Sequence, residues 1–256
     1  MSLPLLDRPS ALPRDCVPVL VDLVVALADN KHALGLRYAE WCSSGPTIEA
    51  GVAATGMAQD ELGHARVLFG LLEELPGAPP RSEHEWTAED ARTVGFLDTA
   101  LPDWPHLIAA NVLLDQALTL VLETAVGSRY LPLRQRARKI IEEEQYHALY
   151  GRAWFLQLAA EGPQVRERLA EIVRGAWADT LCWFGPAGGG ALGLLVAEGV
   201  LQEAGEPVRR RFLAMNGRLL CDAGVSAPVR AEEDGWALTA PLPWAGWDER
   251  ARRVRP

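Results

Sequence analysis

Two stretches pair a glutamate with a histidine one helical turn apart. Glu61 and His64 lie in TGMAQDELGHARVLFG, residues 55–70; Glu144 and His147 lie in KIIEEEQYHALYGRAWF, residues 139–155. Met57, Leu68 and Leu71 share the spacing of the first pair, and Ile140, Gly151 and Phe155 that of the second. Intervals of three and four place residues on one helix face, so both pairs point into a core with their apolar neighbours. A buried carboxylate and imidazole cost desolvation energy unless something pairs them. That donor set suits iron, manganese or zinc, and two E-x-x-H pairs on facing helices suit a dinuclear centre.

The elements that must position these pairs follow from helical periodicity and its punctuation. A first helix is predicted over about 17–42, ending before SSGP, and a second over about 47–75, stopped by PGAPP. Residues 77–103 form a looser connection. A third helix covers about 105–126, and Pro132 opens a fourth that runs to about 158. Shorter helices follow at about 163–181, 190–204 and 207–221. Four long helices in two hairpins, joined by one long crossover, are the layout of an all-α ferritin-like bundle. The expected organisation is an extension over 1–16, the helical domain over 17–222 and an irregular arm over 223–256, made adhesive by Trp236, Trp244 and Trp247.

A dinuclear centre takes one further carboxylate from each remaining helix. Facing residues in a hairpin are roughly equidistant from its turn, which puts residue 115 or 116 opposite Glu144, and Asp115 is there. Glu123, two turns along, is an outer residue or a rival ligand. Opposite Glu61 stand Asp29, Asn30 and Lys31, so Asp29 is the only carboxylate available and Lys31 the residue that modifies the site. Asp60, Glu142 and Glu143 are read as a solvated helix face, and His32, His84 and His106 as lying outside the site.

The net charge is −9, from 25 basic and 34 acidic residues, which argues against a nucleic-acid surface. RQRARK at 134–139 and RRR at 209–211 remain as local basic patches for an acidic ligand or partner. No Gly-rich phosphate loop, nucleophile elbow or zinc-finger spacing appears. Cys16, Cys42, Cys182 and Cys221 lack metal or redox spacing and read as reduced thiols of a cytoplasmic protein. VPVLVDLVVALAD comes nearest to a membrane segment, but Asp22 interrupts it, and no membrane association is expected.

These residues also carry a family resemblance over roughly 17–190. LADNKHALGLRYAEWCSSGP resembles the structural ferritin-like subunit of bacterial phenylacetyl-CoA epoxidase. AQDELGHA, LLDQA, KIIEEEQYH and WFGP instead resemble its iron-bearing catalytic subunit. The resemblance implies that Glu61, His64, Asp115, Glu144 and His147 hold two irons, and that the catalytic subunit's first-helix glutamate falls at Lys31. A lysine there implies one iron or none, with Asp29 as a substitute ligand through a helix shift; manganese is the alternative metal. The implied activity is a di-iron monooxygenase forming a ring 1,2-epoxide on an aromatic acyl-CoA. Its electrons come from an external reductase, and its partner in a homo- or hetero-oligomer is a homologous ferritin-like subunit. A non-catalytic structural subunit and a different ferritin-like metal-binding oxidase are the other readings.

Overall fold

A computed structural model describes residues 4–255. Four long helices form the bundle: α1 (Cys16–Glu40), α2 (Ile48–Glu74), α3 (Trp104–Glu123) and α4 (Leu131–Ala160). Helices α5 (Pro163–Cys182), α6 (Leu192–Ala197) and α7 (Glu206–Ala223) pack outside it. The fold is the expected all-α, ferritin-like arrangement with additional helices.

Local chemistry sets the ends. Thr47 caps α2, its hydroxyl oxygen accepting from the Ala50 N–H at 3.1 Å, and Asp103 caps α3 by accepting from the His106 N–H at 3.0 Å. Proline opens the first turns of α4 and α5, where its missing N–H has no intrahelical partner to lose. The start of α1 is apolar almost all round, and Leu20 through Ala28 are largely enclosed. Its Gly35 lets α2 approach closely, because a Cβ there would stand 2.9 Å from Leu62 Cγ.

Helix α3 is long and apolar enough to span a membrane, yet 83% of that window is buried inside the bundle. Its middle, Asn111–Asp115, is a π-turn. One extra residue in that turn shifts the facing register locally, a device frequent at functional sites.

The crossover is tied to α1 by two neighbouring side chains. Asn30 donates through Nδ2 to the Arg92 carbonyl at 2.9 Å, and its Oδ1 accepts from the Val94 N–H at 2.9 Å. Asp29 Oδ2 accepts from the Arg92 N–H, also at 2.9 Å. These bonds satisfy buried backbone groups that an extended segment cannot pair within itself.

The C-terminal arm, expected to be irregular, holds two small antiparallel hairpins. Strands β1 (Val229–Glu232) and β2 (Gly235–Leu238) are joined by a turn at Glu233 and Asp234 and lie on α7. Trp236 occupies the space that a side chain at Gly217 would need. Strands β3 (Trp247–Asp248) and β4 (Arg253–Val254) follow. Between them the buried Arg252 guanidinium stacks over Trp183 and Trp247 and donates to the Trp183 carbonyl.

Candidate metal centre

Six ionisable side chains from all four long helices meet in the bundle's interior. Lys31 comes from α1, Glu61 and His64 from α2, Asp115 from the π-turn of α3, and Glu144 and His147 from α4; each is at most 2% exposed. Lys31 sits in their midst. Its Nζ donates to Glu61 Oε1 at 2.9 Å, Asp115 Oδ1 at 2.7 Å and Glu144 Oε1 at 2.5 Å. An ammonium has three protons, so these carboxylates saturate it.

The second oxygens of those carboxylates have other neighbours. Asp115 Oδ2 lies 3.1 Å from His147 Nδ1 and 3.3 Å from the Tyr38 hydroxyl. Glu144 Oε2 accepts from the Thr119 hydroxyl at 2.7 Å, and Glu61 Oε2 is buried without a hydrogen-bond partner among the described residues. Asn111 Nδ2 donates to the Tyr38 oxygen at 2.7 Å, which fixes the ring beside Asp115. His64 approaches from the Lys31 side. Its Nδ1 is 3.1 Å from Glu144 Oε1 but lacks hydrogen-bond alignment.

Each imidazole turns its outer nitrogen to a carboxylate from the opposite E-x-x-H helix. His64 Nε2 meets Glu143 Oε2 at 2.6 Å, and His147 Nε2 meets Asp60 Oδ2 at 3.3 Å. Asp60 and Glu143 therefore orient the histidines, although both were read as a solvated face. They are half exposed and bonded at the same time. The usable signal was the acidic residue immediately before each glutamate, in DE-x-x-H and EE-x-x-H.

Burial disfavours every charge here, and the cluster opposes it with its own fields. Despite desolvation, Asp115, Glu144 and Glu61 hold the Lys31 ammonium well above the ordinary lysine range. Burial would raise Asp115, but Lys31 and His147 hold it well below the ordinary carboxylate range. Glu61 is raised to about 7 by burial and by the Asp115 charge, against the pull of Lys31. His147, whose imidazolium burial disfavours, is pushed up to about 11 by its bonds to Asp115 and Glu61.

Over residues 7–237 the sequence matches the family described as phenylacetic acid catabolic protein. The chain belongs to that family. No curated protein matches it. Membership implies a role in phenylacetate catabolism.

Some sequence candidates lie outside the cluster of the family member. Asp29 is buried but turned toward the crossover, where it accepts from Arg92 and stands 3.5 Å from Arg81. It stands apart from the group formed by Glu61, Asp115, Glu144 and His147. Glu123 sits at the end of α3 and pairs with Arg211 at the surface, so it is neither an outer partner nor a rival ligand. Of the three α1 candidates, Asp29 and Asn30 serve the crossover and Lys31 enters the site.

Glu61, Asp115, Glu144 and His147 each offer a ligand atom, all within 4.8 Å of one another, and this group could hold a metal ion. A pair of ions does not fit with Lys31 where it stands. Its ammonium engages an oxygen from each of the three carboxylates that would bridge or bind the second ion, and α1 supplies no carboxylate in exchange.

Proposed function

We propose that this chain is a ferritin-like subunit of a multicomponent oxygenase acting on an aromatic acyl-CoA in phenylacetate catabolism. In that assembly it supports ring oxygenation beside a homologous subunit and carries no dinuclear iron centre of its own. One observation carries this reading: Lys31 Nζ lies 2.5–2.9 Å from Glu61, Asp115 and Glu144, so a fixed positive charge stands among the carboxylates. An ion pair network of that kind holds the helices together without redox chemistry. The external reductase and the homologous catalytic subunit then supply electrons and oxygen activation.

The test is reconstitution. The iron-loaded chain with phenylacetyl-CoA, O₂ and a suitable reductase should form no epoxide alone. Adding a ferritin-like homologue with a glutamate at the position of Lys31 should give a stable complex that does. Epoxide formed by this chain alone, coupled to reductant consumption, would overturn the reading.

A second reading makes this chain the di-iron ring 1,2-epoxidase itself. It is favoured by Glu61, His64, Asp115, Glu144 and His147 all lining one buried seam. Bound iron would supply the redox step there. The protein's own contribution would be to orient both imidazoles through Asp60 and Glu143 and to move Lys31 out of the cluster.

A further inference from the structure

Lys31 and His147 meet different carboxylate oxygens of the cluster except Glu61 Oε1, which lies near both. Lys31 takes Glu61 Oε1, Asp115 Oδ1 and Glu144 Oε1, and His64 Nδ1 reaches the same Glu144 oxygen. On the other side, His147 Nδ1 stands 3.1 Å from Asp115 Oδ2, 3.2 Å from Glu61 Oε1 and 3.9 Å from Glu144 Oε2. Among the described residues, Glu61 Oε2 remains buried with no hydrogen-bond partner. An orphaned buried oxygen on a residue that joins Asp115, Glu144 and His147, with ligand atoms all within 4.8 Å of one another, fits a place for a ligand.

We propose that the chain binds a single divalent first-row metal ion at Glu61, Asp115, Glu144 and His147, with the Lys31 ammonium as the permanent second cation in place of a partner ion. The inference concerns the ligand site alone and stands whether or not the chain assembles with a catalytic homologue.

Charge supports one ion and opposes two. Three carboxylates are balanced by one ammonium and one divalent ion with a single neutral imidazole ligand. A second ion would leave two uncompensated positive charges in a site that is at most 2% exposed. Donor type restricts the metal: carboxylate oxygens with one imidazole suit manganese or iron, and the lack of thiolate disfavours a soft ion. His64 is left out of the set because its Nδ1 approaches Glu144 Oε1 and Glu61 Oε1, both held by Lys31, whereas His147 Nδ1 also reaches Asp115 Oδ2, which Lys31 leaves free. It is therefore a residue of the ammonium side, oriented by Glu143.

The test uses the full chain, stripped with chelator and titrated anaerobically with Mn²⁺ or Fe²⁺. Elemental analysis should give about one metal per chain, and the Mn²⁺ form should show an isolated-ion resonance without exchange coupling. His147→Gln should weaken binding by about 10-fold to 100-fold or more, while His64→Gln should retain about one ion. Lys31→Glu should raise the capacity to about two ions and introduce exchange coupling. A wild-type chain that binds no metal, or binds a coupled pair, overturns the proposal. So does a His147→Gln protein that binds one ion with the affinity of the unaltered chain. If Lys31→Glu fails to fold, the wild-type stoichiometry and the two histidine variants decide.

Discussion

At the residue scale, Lys31 decides how the cluster is held together. Removing one partner from a buried ionic network leaves the others uncompensated, so Lys31→Met should destabilise the metal-free protein by about 3–5 kcal/mol, measured by urea unfolding. An unchanged midpoint would show that the ammonium is not structural. The pH dependence has a definite sign. His147 is raised from 6.5 to about 11, so its contribution is complete below 6.5 and is lost as pH rises through about 11. Glu61, raised from 4.5 to about 7, acts in the same direction: its contribution is complete below 4.5 and lost as pH rises through 7. Asp115, depressed below 3.8, acts oppositely, and its contribution is lost only in strong acid. The metal-free chain should therefore lose thermal stability between pH 7 and about 10, and His147→Gln should flatten that slope. Stability that rises over this interval would contradict the ion-pair assignments. Glu61, His64, Asp115, Glu144 and His147 were legible from spacing because helical periodicity carries side-chain direction. Asp60 and Glu143 were not, because a half-exposed carboxylate looks the same in sequence whether or not it touches an imidazole.

At the element scale, the helices are placed by close approaches and by tethers outside the site. Gly151 on α4 faces Asn111 in the π-turn of α3, and a Cβ there would collide with the Asn111 amide. Asn111 in turn holds Tyr38 beside Asp115. Gly151→Ala should cost about 1–3 kcal/mol by overpacking and should also lower metal affinity, whereas loss of stability alone would separate the π-turn from the site. The close approach was readable from Gly151 on the E-x-x-H face. The π-turn was not, since an inserted residue leaves no mark in an apolar run such as NVLLDQALTLVLE. The crossover shows a similar division of labour within one short motif. In ADN-K, Asp29 and Asn30 bind crossover backbone while the following Lys31 points inward. Asn30→Ala leaves the Val94 N–H and the Arg92 carbonyl without their partner, and should cost about 1–3 kcal/mol. Limited proteolysis should then cut faster within residues 77–103; an unchanged rate would mean that Asp29 suffices as the tether.

At the scale of the whole molecule, the bundle layout was legible because helix lengths and one long connection leave few arrangements. The C-terminal arm was less so. Its hairpins are two to four residues per strand, too short for an alternating pattern, and Arg252 between Trp183 and Trp247 joins residues far apart in the chain. The same long-range logic applies to the centre, where four helices contribute charges that no single helix would tolerate alone. Those charges close around a lysine, and the proposed single-ion centre rests on that arrangement. A crystal of the full chain grown anaerobically with Fe²⁺, with anomalous scattering recorded at the iron edge, tests that point most directly. The prediction is one iron held by Glu61, Asp115, Glu144 and His147, with Lys31 still bonded to an oxygen of each of the three carboxylates. Two irons, with Lys31 swung out of the cluster, would contradict it.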